Sequence, residues 1–386
     1  MKKIPLYFSN NLEFIMKSGA GSCTDRAKLP SLIPAMMVGL LLVLLGAYEW
    51  AQVFRGGDIG IGDAPTYQPI LSVWFFDLCF VLVGIGIITS NILTYLDYNK
   101  YQISSSAVTI IHRRLFGGKK IIKEKLSSYI GVRFRVEFLQ SGIVTKNRYI
   151  IELYQKNNER MVPLYISTSN KKVRLKWKEY AKLFKLPAAI DTDEGLKLVD
   201  AKDLSKSLAT LYKQGRIVDD YDDYERLPSS IRFVRKKDKI VIKIRKIVWD
   251  AYNIIAWFIV GITFLVMLVA LRAIVLSGAG APWILYMIST GALLLIIAMV
   301  FVLFRKEKLV LKRHKIVNTH KYMLFSTKHN QIMKKDIAEV EVTENPATGR
   351  WFVSIIADNN TITFAAKLPK KDLRWIKRFL IHEIVK

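Results

Sequence analysis

The sequence predicts a polytopic α-helical membrane protein with four transmembrane helices in two hairpins and with two cytoplasmic α+β domains. Three observations predict this class. Hydrophobic residues make up 51% of the 386-residue chain and are concentrated in four long blocks. The polar regions that follow each pair of blocks are strongly basic, and these two regions resemble each other in sequence.

The four apolar blocks are each long enough to cross a bilayer, which takes about 20 residues as a helix. They occupy residues 31–54, 70–96, 247–276 and 282–304. Because short segments join the first block to the second and the third to the fourth, we expect two transmembrane hairpins, at 31–98 and 247–304. One such block would also fit the core helix of a soluble protein, but four blocks of this length favour a bilayer.

Basic residues set the expected orientation. Residues 99–246 contain 34 Lys and Arg against 16 Asp and Glu, and residues 305–386 contain 18 against 8, whereas the two hairpin loops hold only Arg55, Asp58 and Asp63. Lys and Arg are enriched in cytoplasmic loops, so both termini and both polar regions are expected in the cytoplasm. This rule also accounts for most of the net charge of +27, so we expect no nucleic-acid partner.

The two polar regions follow the same order of elements. Residues 101–135 align with residues 309–344, which places His112 opposite His320. Each region continues as a strand, a polar turn that contains Asn, a second strand and an amphipathic helix. The sequence therefore divides into seven parts. They are an N-terminal segment (1–30), the first hairpin (31–98), the first domain (99–186), a helical and acidic linker (187–230), a basic β-hairpin (231–246), the second hairpin (247–304) and the second domain (305–386).

This order resembles that of bacterial membrane proteins that carry pleckstrin-homology-like (PH-like) domains after transmembrane hairpins. The resemblance rests on hairpin placement, on a turn followed by "KEKLSSYIGV" or "KKDIAEVEV", and on the closing helices. It covers roughly residues 100–186 and 305–386 and implies that each domain is a bent antiparallel sheet with a C-terminal helix. It also implies a multi-pass protein of the bacterial cytoplasmic (inner) membrane. The alternative is an unrelated small α+β domain.

Two basic segments are candidate surfaces for anionic lipid or for a protein partner. The first is the predicted hairpin, where a Lys or Arg near an anionic surface contributes about 1 kcal/mol. The second is the closing helix of the first domain. The alternative for both segments is an ordinary solvated face. The candidate residues are Arg235, Lys236, Lys237, Lys239, Lys243, Arg245 and Lys246 in the hairpin, and Lys171, Lys172, Arg174, Lys176 and Lys178 in the helix.

An acidic segment precedes the basic hairpin. It is the stretch "DDYDDYERLP" at residues 219–228. Because opposite charges so close in sequence attract each other, we hypothesise that this acidic segment shields the basic hairpin in one state of the protein.

Glu49, Asp77 and Arg272 are ionisable residues inside the predicted spans. Because a charged side chain in hydrocarbon is costly, we expect an ion pair that joins the two hairpins. The alternatives are a transport site built on Glu49 and Asp77, and a contact with a partner subunit. Small residues at Gly39, Gly46, Gly84 and Gly86 would allow close helix contact under any of these readings.

The motifs of common enzyme classes are absent from the sequence. There is no phosphate-binding loop, no HExxH pair, no cysteine pair for zinc and no nucleophile elbow. We therefore expect no catalytic residue, no cofactor and no metal. The expected function is that of a non-enzymatic integral membrane scaffold or accessory subunit that presents two PH-like domains for binding of protein or anionic lipid. The expected partners are membrane lipids and other subunits or a second copy of the chain, and the third alternative is a membrane-bound enzyme.

Overall fold

The structure is a computed structural model that describes residues 7–17, 20–54, 70–141, 144–157, 160–200, 202–244, 306–321, 326–345, 349–366 and 368–386, and the single positions 261, 290 and 293. The chain divides into two compact units. The N-terminal unit spans Pro5–Ser128, and the C-terminal unit comprises Tyr129–Lys386 together with Met1–Ile4.

The N-terminal unit is an antiparallel sheet into which a helical hairpin is inserted. Its elements are β1 (Leu12–Glu13), β2 (Met16–Lys17), β3 (Ala20–Arg26), α1 (Leu29–Phe54), α2 (Ile70–Leu96), β4 (Tyr98–Ile103), β5 (Ala107–Arg114) and β6 (Gly118–Lys125). The sheet order is β2-β3-β4-β5-β6. Because β3 runs into α1 and α2 returns to β4, both helices leave the sheet at the end where Arg26 pairs with Tyr98.

The two helices contact each other closely at two glycines. A Cβ atom at Gly84 would lie 2.5 Å from the carbonyl oxygen of Gly39, and a Cβ atom at Gly39 would lie 2.9 Å from that of Gly84. Gly86 has no such neighbour within 4 Å. On their outer sides the helices expose large apolar side chains, among them Met37 at 60% and Leu82 at 58%.

The first half of the C-terminal unit is a mixed sheet with one packed helix. Its elements are β7 (Gly131–Ser141), β8 (Val144–Tyr154), β9 (Val162–Ser167), α3 (Val173–Phe184), β10 (Ala188–Thr192) and β11 (Gly195–Val199). The strands run in the order β9-β8-β7-β10-β11, and β10 lies parallel to β7. Trp177 on α3 packs against Phe134 of β7 and donates its indole N–H to the carbonyl oxygen of Val132 at 2.6 Å.

The second half of the C-terminal unit has two antiparallel sheets and a closing helix. After the short helix α4 (Leu208–Lys213), the first sheet runs in chain order through β12 (Ile231–Lys236), β13 (Lys239–Ile244), β14 (Lys306–Lys312), β15 (Lys315–Lys321) and β16 (Ser326–Met333). The second sheet is β17 (Ile337–Asn345), β18 (Arg350–Ala357) and β19 (Thr361–Phe364), and α5 (Lys370–Val385) closes the chain. Leu373, Ile376, Phe379 and Leu380 of α5 form one core with Val340, Val342 and Ile355 of the second sheet.

The predicted fold class is wrong. Strands hold 43% of the described residues, and those residues form five helices, so the chain is not a four-helix polytopic membrane protein with two appended domains. Among the described residues, a single helix segment, Leu78–Leu96 within α2, has the length and apolarity to cross a bilayer, and Leu29–Leu44 is a shorter apolar helix. One segment does not make a multi-pass protein, so the predicted multi-pass location in the bacterial inner membrane is wrong as well.

The predicted class was wrong because it extended the evidence of four apolar blocks to the whole chain. The rest of the sequence alternates apolar and polar residues with a period of two, which is typical of strands. This part contributes more of the described residues than the blocks do. The blocks at 247–276 and 282–304 lie outside the described residues, apart from the three single positions.

Candidate binding surfaces and a polar cleft

Strand register gathers basic residues at one end of the β12–β16 sheet. Lys239 pairs with Lys312, so the β12–β13 turn and the β14–β15 turn lie side by side. Lys315 pairs with Met333, which brings the residues after β16 to the same end. We call this the hairpin-tip surface, and its members are Arg235, Lys236, Lys237, Lys239, Lys312, Arg313, Lys315, Lys334 and Lys335.

The hairpin-tip surface includes four of the seven basic residues that the sequence analysis singled out in this hairpin. Lys243 lies toward the opposite end, where it pairs with Lys308, and Arg245 and Lys246 are outside the described residues. The chain also leaves for residues 245–305 at that opposite end. At about 3.3 Å per residue, the basic turn is roughly 17 Å from that point. The position of the basic turn along the chain therefore does not support lipid binding by this turn.

The five basic residues near α3 do not form one surface. Arg174 is 3% exposed, and its guanidinium pairs with Asp358 and donates to the carbonyl oxygen of Leu204. Lys176 pairs with Glu179 at 3.0 Å, whereas Lys171 and Lys172 are exposed before the helix and Lys178 is half-buried. Arg174 therefore joins the two halves of the unit, and the prediction that it forms part of a binding surface is wrong.

The acidic segment at 219–228 contacts α5 rather than the basic turn. Asp219 lies 2.7 Å from Nδ1 of His382, and Glu225 lies 2.6 Å from the guanidinium of Arg378. Between them, the ring of Tyr221 packs on Phe379 with centroids 5.5 Å apart. The hypothesised shielding of the basic hairpin is therefore not the arrangement seen here.

The predicted intramembrane ion pair is not tested by the structure. Glu49 and Asp77 fall within α1 and α2, but their side chains lie outside what the structure describes, as does Arg272 altogether. Of the four glycines that the sequence analysis named, Gly39 and Gly84 make the close helix contact.

An exposed apolar turn stands at the end of the N-terminal sheet from which the helices leave. Tyr98 pairs with both Arg26 and Arg113, which places the β5–β6 turn at the same end as the start of α1 and the end of α2. In this turn Leu115 is 53% exposed and Phe116 is 87% exposed. We call this the helix-proximal end.

Cations and aromatic rings surround that turn. Arg113, Lys119 and Lys120 flank it in sequence and are exposed, and Lys28 is exposed at the start of α1. The guanidinium of Arg26 lies 4.2 Å from the ring centroid of Tyr95. The amide of Leu115 donates to Asp97 at 3.0 Å, which fixes the turn to the end of α2. This site was not among the predicted ones, and its signal in the sequence is an apolar pair between cations in "RRLFGGKK".

A polar cleft of about 670 Å³ lies within the C-terminal unit. The β10–β11 turn, α4, the acidic segment, β17 and α5 all line it. At its base, Lys197 lies 2.6 Å from Glu341 and 3.9 Å from Glu339, and Lys377 lies 2.6 Å from the other oxygen of Glu341. Glu341 is therefore held by two ammonium groups, and Glu339 by none within hydrogen-bond distance.

Burial raises the pKa of Glu339 above its ordinary value, although Lys197 pulls it down. Burial lowers the pKa of Lys197, but the attraction of Glu339 and Glu341 outweighs it, and the pKa is raised overall. The two carboxyl groups alternate along β17, a pattern typical of a solvated face, so the sequence analysis did not single them out. Within the described ranges, no group of three or more His, Cys, Asp or Glu side chains is placed to hold a metal ion.

The comparisons with known proteins add no relative. No protein-family model matches the chain, and no curated protein matches its sequence. The resemblance to proteins with PH-like domains therefore rests on the sequence pattern alone.

Proposed function

We propose that this chain is a non-enzymatic scaffold that attaches to an anionic lipid surface by the helix-proximal end of its N-terminal unit. The observation that carries the proposal is Phe116. This ring is 87% exposed in a turn flanked by cations, at the end of the sheet from which two helices with exposed apolar side chains leave. The proposal does not depend on how many helices cross the bilayer.

The chemistry of this end suits a lipid surface better than a protein groove. Exposed apolar side chains occur in both described parts of the helical hairpin, 29–44 and 78–96, and only 6% of the Leu78–Leu96 segment is buried. Cations and tyrosines cluster at one end of the hairpin, the distribution found where helices meet lipid headgroups. A large exposed apolar surface rimmed by polar residues marks an interaction site.

The magnitudes support reversible attachment by the turn. Full burial of Leu115 and Phe116 contributes about 1.5–3 kcal/mol each. Each cation near an anionic surface adds about 1 kcal/mol. Buried apolar area and attraction to anionic lipid add together in binding at a membrane surface, and this turn supplies both.

The C-terminal unit is the part that we expect to meet protein partners. Its hairpin-tip surface carries nine Lys and Arg, and Arg235 and Lys334 both contact Glu383 of α5. The turns at 235–239 and 312–315 hold no Phe, Tyr or Trp, and His314 is their one aromatic ring. With so few rings for base stacking, the surface suits an acidic protein segment. Since the side chains of Glu49 and Asp77 are not described, no observation favours the transport alternative.

The direct test places an environment-sensitive dye on the turn. Phe116→Cys is labelled in the full chain after Cys23 and Cys79 are replaced by alanine, and Tyr224→Cys, at a side chain that is 97% exposed in the C-terminal unit, is the matched control. With vesicles of phosphatidylcholine and phosphatidylglycerol we expect a blue shift at position 116 and none at position 224. An unshifted dye at position 116, or equal shifts at both positions, would overturn the proposal.

A further inference from the structure

We propose that the polar cleft of the C-terminal unit binds an organic cation with primary ammonium groups, a diamine or polyamine, through Glu339 together with Asp193 and Glu225. This site is independent of the lipid surface proposed above, because it lies in the other unit.

The cleft contains buried polar atoms that have no hydrogen-bond partner. Oε2 of Glu339, Oδ1 of Asp193 and Oε2 of Glu225 are shielded from solvent and accept no hydrogen bond. Glu339 is 6% exposed, and the side chain of Asp193 is 1% exposed. Burying a polar group without a hydrogen bond is costly, and native proteins rarely leave one in that state. Three such oxygens in one cleft therefore indicate a place for a donor.

The protein's own cations are already engaged. Arg374 pairs with the other oxygen of Asp193, and Arg378 pairs with the other oxygen of Glu225. Lys197 and Lys377 both contact Glu341. Asp193 and Glu225 thus each have one carboxylate oxygen bound by arginine and one without a hydrogen-bond partner.

An ammonium group fits these open atoms. All three are acceptors, and a primary ammonium group supplies three donors and no acceptor. A single metal ion does not fit, because the described residues include no group of three possible ligands close enough to share one. The methylene chain of a diamine would lie against the apolar part of the wall, which is formed by Leu208, Leu211, Ile217, Val340 and Ile381.

One open atom in the cleft is a donor. Nε of Arg378 is buried without a partner, and an ammonium group cannot serve it. A hydroxyl or carboxylate oxygen on the same ligand would, so an amino acid with a cationic side chain is a second source of the same ammonium chemistry.

The proposed site binds a cation although the protein as a whole is positively charged. The chain has a net charge of +27, which repels cations in general. Binding of a polycation at low concentration would therefore indicate a specific site rather than non-specific attraction to an acidic surface.

The test is isothermal titration calorimetry on the full chain with spermidine, 1,5-diaminopentane and free lysine. 1,5-Pentanediol is the size-matched uncharged probe. We expect the diamines to bind and the diol to give no heat. Glu339→Gln removes, at constant size, the negative charge that the carboxyl group carries once an ammonium group is bound, and it should weaken diamine binding about tenfold or more, as the loss of a charge-assisted hydrogen bond does. Tighter binding of lysine than of the diamines would assign the ligand to the amino-acid source.

Two further variants make the result decisive. Glu179→Gln makes the same replacement on α3, at a side chain that is 62% exposed, and should leave diamine affinity unchanged. Glu225→Gln replaces a different wall of the cleft and should weaken binding even where Glu339→Gln impairs folding. The proposal fails if the wild-type chain binds no amine, or if a folded variant at position 339 or 225 binds diamine as the wild type does.

Discussion

The Oδ2 atom of Asp219 lies 2.7 Å from Nδ1 of His382, and this contact fastens the acidic segment to the last turn of α5. The segment is not part of a sheet or helix, and its attachment relies on side chains. Glu225 repeats the arrangement at Arg378, and the ring of Tyr221 lies between the two contacts. An acidic stretch that looks like a linker in the sequence is thus one wall of a cleft.

Tyr221 should hold the acidic segment in place. Its ring contacts Phe379 at 5.5 Å and Trp375 at 6.0 Å between centroids, and each aromatic pair contributes about 0.5–1.5 kcal/mol. We expect Tyr221→Ala to lower the free energy of unfolding by about 1–2 kcal/mol and to speed amide exchange across residues 219–228. Hydrogen exchange with mass spectrometry measures the second effect. Tyr224→Ala, at a ring that is 97% exposed, should change neither, and equal effects of the two variants would contradict the assignment.

Arg174 should matter for stability and not for binding. Its buried guanidinium joins α3 to Asp358 and to the carbonyl oxygen of Leu204. Removal of one partner from a buried ion pair costs about 3–5 kcal/mol. Chemical denaturation of Arg174→Ala should show a loss near the lower end of that range, because the side chain of Asp358 is 38% exposed. Lys171→Ala, at an exposed side chain just before the helix, is the control and should stay within about 0.5 kcal/mol of the wild type.

Local patterns in the sequence predict local structure, and the sites depend on contacts that are distant in sequence. Ile240 and Ile242 alternate with Lys239 and Lys243, and these residues lie in paired strands. The pairing of Lys239 with Lys312 crosses more than 70 positions, so no local pattern could reveal the hairpin-tip surface.

The same limit explains the cleft and the fold class. The sequence around Glu339 predicts a solvent-exposed side chain, because its partner, Lys197, comes from another sheet more than 140 positions away. The apolar blocks are evident in the sequence, but the number of these blocks does not predict that strands hold most of the regular structure in the rest of the described chain.

Gly84 should be needed for the contact between α1 and α2. A Cβ atom there would overlap the carbonyl oxygen of Gly39, which is backbone and cannot move aside cheaply. We expect Gly84→Ala to destabilise the N-terminal unit by about 1–3 kcal/mol, the usual cost of overpacking. Gly86→Ala adds the same methyl group where there is open space, so it should be neutral or slightly stabilising. Thermal unfolding of the two variants would contradict this account if their midpoints moved together.

Glu339 should make the stability of the C-terminal unit depend on pH. Burial raises its pKa in the folded state above the ordinary value of 4.5. Without a bound cation, the folded state therefore holds, between the two pKa values, a proton that the unfolded state has released, so the stability is fully present below pH 4.5 and is lost as the pH rises through the raised folded pKa.

Glu339→Gln removes this titration. We expect the variant to gain stability relative to the wild type as the pH rises from 4.5 through the raised folded pKa, and urea unfolding at several pH values measures the difference. The control is Glu179→Gln, whose exposed side chain reports the effect of removing one negative charge. A difference between Glu339→Gln and the wild type that shrinks or stays constant as the pH rises above 4.5 would contradict a raised pKa for Glu339.

The lysines beside the apolar turn should control lipid affinity, and those of the hairpin-tip surface should not. Lys119 and Lys120 follow Phe116 at the end of the sheet where the helices leave, whereas Lys236 and Lys237 lie in the turn farthest from the exit of β13. At about 1 kcal/mol per cation, Lys119→Gln with Lys120→Gln should weaken binding to vesicles with phosphatidylglycerol by roughly 30-fold.

Vesicle flotation at several salt concentrations measures this effect. Lys236→Gln with Lys237→Gln removes the same charge from the chain, so it controls for net charge and should leave binding unchanged. Higher salt should weaken the wild type more than the variant at 119 and 120, because screening acts on exposed charges. If the pair at 236 and 237 lowered lipid affinity and the pair at 119 and 120 did not, the lipid surface would belong to the C-terminal unit, because net charge, chain and vesicle are the same in both experiments.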